Sequence, residues 1–100
     1  MMKVVDEIAI ERRRQIEVES YVVAHDDAHI RGELAQAAAV YAMPLRNRHL
    51  QDWPWGDQYK PAAASDFPAG RRRELIKAAA LIVAEIERID RLSPPVERTE

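Results

Sequence analysis

Residues 71–92 constrain the fold more than any other stretch of the chain. Leu75, Ala79, Ile82, Ile86 and Ile89 recur at alternating steps of four and three, the a/d spacing of a coiled-coil seam. Ala78, Leu81 and Val83 widen this stripe, which predicts a long helix buried on more than one side. At 1.5 Å per residue it runs about 33 Å. It stops before Ser93-Pro94-Pro95, and residues 93–100 read as a flexible polar tail.

A helix of this kind needs neighbours, and two segments qualify. In residues 4–19, Val5, Ile8, Arg12 and Ile16 fall at helical spacing, with acidic residues elsewhere. In residues 28–43, Ile30, Leu34, Ala37, Ala38 and Tyr41 form a narrow, small stripe that lets another helix come close. Gly32 costs this second helix about 1 kcal/mol relative to alanine, so a close backbone approach is expected there. Pro44 closes it. Residues 20–27 read as a connection, with Tyr21, Val22 and Val23 tucked inward and Asp26 or Asp27 capping the next helix. The expectation is an all-α fold. It is a single domain over residues 1–92, a small bundle of three main helices with a long Trp-containing loop between the second and third.

With 100 residues the core is small. A chain of this size buries roughly two-thirds of its unfolded surface, so assembly with further copies, a homo-oligomer, is expected. A net charge of −2 argues against general binding to nucleic-acid backbone. The absence of cysteine removes disulfides, thiolate metal sites and a thiol nucleophile. Acids stand in the first turn, and no run is long enough to span a membrane. A cytoplasmic protein with no membrane partner and no bound cofactor is expected.

The loop over residues 45–70 is long enough to carry function or small elements of its own. Trp53-Pro54-Trp55 is a stiff unit within it, because Pro54 fixes its own φ and pushes Trp53 toward extended backbone. Two flat rings on a rigid loop either close the end of a small core or stack on a flat ligand such as a nucleobase. Tyr59 and Lys60 follow them, and Phe67 reads as an anchor before a turn at residues 68–70.

Three polar clusters are candidates for chemistry. His25, Asp27, His29 and Glu33 form the densest; His29 and Glu33 share a face if both are helical. Arg71, Arg72 and Arg73 open the last helix, where guanidinium groups beside free backbone N–H donors suit a phosphate. Arg12, Arg13 and Arg14 form a second basic run, solvated or phosphate-facing. Glu85, beside the apolar seam, needs a partner, and Arg12 or His29 could serve.

Three resemblances add to this. Glu87-Arg-Ile-Asp90 has the Glu-x-x-Asp spacing with which helical nucleotide pyrophosphohydrolases of the MazG type hold magnesium; their paired Glu-Glu-x-x-Glu helix has no counterpart here. Glu11-Arg-Arg-Arg-Gln15, His25-Asp-Asp-Ala-His29, Gly32-Glu-Leu-Ala35, Trp53-Pro-Trp55, Lys60-Pro61 and the stretch from Arg71 to Arg88 resemble small phage and prophage proteins. From Glu33 onward the order also resembles the RyR domain: Glu33-Leu34-Ala35, Trp55-Gly56, Lys60-Pro61, then Asp66-Phe67-Pro68. Ala39 stands where that module has a histidine.

The RyR resemblance implies adenine-nucleotide or ADP-ribose-type binding, with loop tryptophans on the base. Together they imply a phage protein that sequesters a nucleotide immune signal, a cyclic dinucleotide or cyclic ADP-ribose, without turning it over. Its ligand-binding residues would be Trp53, Trp55, Tyr59, Lys60, Arg71, Arg72, His25, Asp27, His29 and Glu33. Two alternatives stay open: a metal-dependent hydrolase using Glu33, Glu85, Glu87 and Asp90, and a helical adaptor for a host protein.

Overall fold

The computed structural model describes residues 2–56, 59–61 and 68–92. Among them the fold is all-α, with no strand. Helix α1 spans Val4–Glu17, α2 Val23–Ala28, α3 Glu33–Ala42 and α4 Pro68–Leu92, with 3₁₀ turns at Leu45–Asn47 and Leu50–Asp52. Phe67 and the tail at 93–100 lie outside the described residues. No helix of the described residues is long and apolar enough to cross a membrane.

Helix α4 is the spine, and α1, α2 and α3 all lie against it. It begins three residues before the arginine run, so residues 68–70 are its first turn rather than a separate turn. Pro68 suits the first position: its φ is already helical, and the N–H it lacks would have no partner there. Leu34, Ala37, Ala38 and Tyr41 of α3 pack on Ala78, Leu81 and Ala84 of α4, with Tyr21 at one end. The alanines on both sides bring the two backbones close.

The coiled-coil seam does not form this core. Leu75, Ile82, Ile86 and Ile89 are 46 %, 48 %, 49 % and 48 % exposed. They occupy the face of α4 opposite Ala80, Ala84 and Leu81, all buried. The reason is steric fit: the small α3 stripe matches the Ala/Leu face of α4, which leaves the isoleucine face outside.

Helix α1 also departs from expectation. Its buried residues are Glu11, Arg12 and Gln15, whereas Val5 and Ile16 are exposed. The surface of α4 that it meets is charged, and Glu11 takes hydrogen bonds from Arg73 at 2.6 Å and from Arg14 at 2.9 Å. Gln15 donates to the Lys77 carbonyl at 3.3 Å. Ionic matching therefore outweighs apolar periodicity on this helix. The helix ends at Glu17, and Ser20 then takes a left-handed φ of 64°.

The helix expected at residues 28–43 is divided. Helix α2 occupies part of the expected connection, and α3 starts at Glu33 after Gly32, whose φ is 83°. A Cβ on Gly32 would meet open space, so its left-handed backbone explains the glycine, not a close approach. His29 caps the end of α2, so His29 and Glu33 share no helix face. Asp26 is not an N-cap either; it is fully buried and paired with Arg12 at 2.8 Å.

Candidate functional site: an aromatic and imidazole cluster beside Trp55

Helix α2 turns Asp26 inward and leaves Asp27 exposed. The Arg12 guanidinium donates to Asp26 Oδ2 at 2.8 Å, to Glu87 at 3.2 Å and to the Tyr21 carbonyl at 3.4 Å. The second carboxylate oxygen of Asp26 accepts from His25 Nδ1 at 2.9 Å. His29 Nδ1 donates to the His25 carbonyl at 2.7 Å. A carboxylate and a carbonyl only accept, so both imidazoles carry a proton on Nδ1. In the neutral form each then keeps its lone pair on Nε2. Arg12, Asp26 and His25 form a chain that fixes the tautomer and the tilt of the ring.

The two imidazoles meet the Trp loop. His25 stacks on Tyr21 at 4.5 Å between centroids and 12° between planes. His25 and His29 approach the Trp55 ring edge-on, at 5.5 Å and 5.1 Å. Trp55 in turn stands at 89° to Trp53, 5.3 Å away, and Trp53 lies 5.1 Å from Tyr59. Tyr41 closes the series, 5.4 Å from Trp53 and 5.7 Å from Tyr59. Both indoles are partly buried against the core. Edge-to-face contacts suit the aromatic quadrupole and hold the rings at fixed angles.

One group in this cluster lacks a partner. The indole Nε1 of Trp55 is buried and has no acceptor among the described residues. Leaving such a donor unpaired costs about 1–3 kcal/mol. The site therefore gathers two imidazoles and several π-surfaces within one end of the bundle, with the Trp55 N–H enclosed among them.

The sequence-derived site residues divide into two groups. His25, His29, Trp53, Trp55 and Tyr59 come together as described. Lys60 lies at the edge: its N–H donates to the Tyr41 hydroxyl at 2.9 Å, and its ammonium donates to Glu19 at 2.8 Å. Asp27 leaves the cluster and binds Arg91 of α4 at 2.8 Å. Glu33 accepts from the Arg31 backbone N–H at 2.7 Å. Partial burial pushes the Glu33 carboxyl up, but backbone N–H donors from its own residue and Arg31 outweigh it and hold it below the ordinary value.

The arginine run diverges. Arg71 donates to the carbonyls of Tyr41 and Ala42 at the end of α3, where a cation also complements the helix dipole. Arg72 pairs with Glu7 at 2.5 and 2.7 Å, and Arg73 with Glu11. These side chains staple α4 to α3 and α1. They do not converge with the tryptophans on one point.

The buried charges were the residues that sequence patterns missed. Arg48 donates to Glu74 at 2.5 and 2.9 Å, and also to the Tyr41 and Met43 carbonyls and the Tyr59 hydroxyl. Lys77, buried, donates to the Lys60 carbonyl at 2.6 Å with its ammonium 5.4 Å from the Tyr41 ring centre. Burial, then Arg73 and Arg14, lower the Lys77 pKa. Burial pushes the Tyr41 phenol up to about 12. A signal was present: Glu74, Leu81 and Arg88 lie seven apart, as do the buried faces they share.

Among the described residues, a narrow hollow of about 10 Å³ borders the cluster at Tyr21, Tyr41 and Lys60, and larger ones lie elsewhere. One of about 250 Å³ is lined by Gln36, Ala39, His49 and Asp52 among others, so Ala39 borders open space. Another of about 620 Å³ lies between α1 and the start of α4, beside Arg72 and Arg73. Compared with family models, curated proteins and solved structures, the chain matches none.

Proposed function

We propose that this protein binds a nucleotide at the aromatic and imidazole cluster and holds it without turning it over, acting as a homo-oligomer. One observation carries this: the rings of Trp53, Trp55 and Tyr59, only partly buried, gather with His25 and His29 at one end of the bundle. A base brings flat π-surface for Trp53, Trp55 and Tyr59. His25 and His29 offer Nε2 to its edge, as acceptors when neutral and donors when charged. Lys60, more than half exposed and paired with Glu19, lies at the edge of the site and is the cation we assign to a phosphate.

Retention rather than hydrolysis is supported by the carboxylates. Glu85 is held by Arg88 and Glu87 by Arg12. Given the resemblance to phage proteins, the use we infer is sequestration of a host nucleotide signal of the cyclic dinucleotide or cyclic ADP-ribose type. A second proposal, a helical adaptor for another protein, is favoured by the outward isoleucine face of α4.

Tryptophan fluorescence, titrated with a panel of linear and cyclic nucleotides, tests the nucleotide proposal. Saturable quenching by at least one member, with the nucleotide recovered intact, is expected. An unchanged emission across the panel would remove it, and magnesium-dependent product would turn the protein into an enzyme.

A further inference from the structure

We propose that the hollow between α1 and α4 holds one internal water, which donates to Gln15 of α1 and accepts from Lys77 of α4. This goes beyond the nucleotide reading and does not depend on it. The hollow is about 10 Å³ and borders Gln15, Lys77, Glu19, Tyr41 and Lys60. That is roughly the room one water molecule takes.

Gln15 points to such an occupant. It is 3 % exposed, and its Nε2 donates to Glu11 at 3.4 Å and to the Lys77 carbonyl at 3.3 Å. A carboxylate and a carbonyl only accept, so the amide nitrogen belongs on that side and the oxygen on the other. That oxygen, Oε1, is buried and receives no donor from the described residues. Buried carbonyl oxygens take a donor from the protein or from an ordered water.

Lys77 points to the same occupant from α4. Its ammonium donates to the Lys60 carbonyl at 2.6 Å, with the Tyr41 ring centre 5.4 Å away. An ammonium has three donors, so one remains beyond the carbonyl and the ring face. The walls then select the chemistry. A cation would stand against Arg14, Lys60 and Lys77. An anion would compete with Glu19, which already accepts from Lys60 at 2.8 Å and from Arg14 at 3.0 Å. The occupant must accept from Lys77 and donate to Gln15 with a single heavy atom, which water does.

This water supports the loop through Lys77. Burial, then Arg73 and Arg14, work against the charge on Lys77, while Glu11 and Glu74 favour it. A water beside the ammonium restores part of the lost hydration. The charged Lys77 holds the Lys60 carbonyl, and the Lys60 N–H donates to the Tyr41 hydroxyl. Lys60 is thus fastened to α3 and α4 beside a hydrated joint between α1 and α4.

A high-resolution crystal structure tests this. One ordered water within about 2.7–3.2 Å of both Gln15 Oε1 and Lys77 Nζ is expected. A dry hollow, or Lys77 Nζ bonded directly to Oε1, would overturn the proposal. Gln15→Met keeps the length of the side chain and removes the acceptor. In that variant the Lys77 ammonium, followed by NMR, is expected to lose its proton at a lower pH than in the wild type. A folded Gln15→Met protein whose Lys77 titrates as before would also overturn it. If the variant does not fold, the wild-type density decides alone. Neither result bears on the nucleotide titration, which reads the tryptophans.

Discussion

Arg48 grips Glu74 in a two-point ion pair, at 2.5 and 2.9 Å, with both side chains out of solvent. The pair links the 3₁₀ segment to α4, and the spare Arg48 donors reach the Tyr41 and Met43 carbonyls. It thereby ties the start of the Trp loop to the end of α3. Arg48→Ala leaves a buried carboxylate alone and is expected to destabilise the fold by about 3–5 kcal/mol. Replacing both partners together by Met and Leu should cost much less than the sum of the single changes. Urea unfolding of the three variants measures this.

The Arg12–Asp26–His25 chain makes a second prediction. Asp26→Asn removes a fully buried negative charge that faces Arg12 and holds His25. A loss on the order of 3 kcal/mol is expected. The emission of Trp55 should shift as well, because His25 lies against its ring. Asp27→Asn, in contrast, removes an exposed pair with Arg91 and should cost under about 1 kcal/mol.

Two left-handed positions predict opposite outcomes. Gly32→Ala puts a Cβ at φ 83°, with open space around it, and should cost about 1–2 kcal/mol from backbone strain alone. Ser20 pays that strain already at φ 64°, so Ser20→Gly should leave stability unchanged or raise it by no more than about 1 kcal/mol. Thermal melts of both variants decide the matter.

These contrasts show what the sequence carried. Leu34, Ala37, Ala38 and Tyr41 were legible as a buried stripe because nothing polar interrupts their spacing, whereas Ile30, expected in the same stripe, lies before α3 and is 69 % exposed. The division before α3 was not, because Gly32 within an apolar period looks the same whether it breaks a helix or packs one. The seam of α4 was legible as a stripe, but two apolar faces on one helix do not say which faces inward. The polar face of α1 was hidden because Glu11 and Gln15 are buried only by virtue of Arg73 and Lys77, over sixty residues away. For the site, the types His, Trp and Tyr pointed to the cluster. Arg71 and Arg72 did not, because a guanidinium serves carbonyls and carboxylates as readily as phosphate.

Acid should weaken the fold in a defined window. Burial raises the Glu11 carboxyl, but hydrogen bonds from Arg14 and Arg73 outweigh it and leave its pKa lowered. Burial likewise opposes Lys60 and Arg14 at Glu19, and the net shift is again downward. In the unfolded chain both titrate near the ordinary 4.5. Their stabilisation is therefore complete above that pH and is lost as the pH falls through the lower, folded values. Melting temperatures should be level from pH 7 to about 5 and fall below about 4.5.

The most direct test of nucleotide recognition watches the Trp55 indole proton itself. In a ¹⁵N–¹H spectrum the two indole signals can be assigned with Trp55→Phe. Adding a bound nucleotide should move the Trp55 signal, because a base stacked on the cluster changes the ring current at its N–H, and the imidazole signals of His25 and His29 should shift with it. If a saturating nucleotide panel leaves the Trp55 indole and both imidazoles where they stand, the cluster only closes the bundle and the proposed function is wrong.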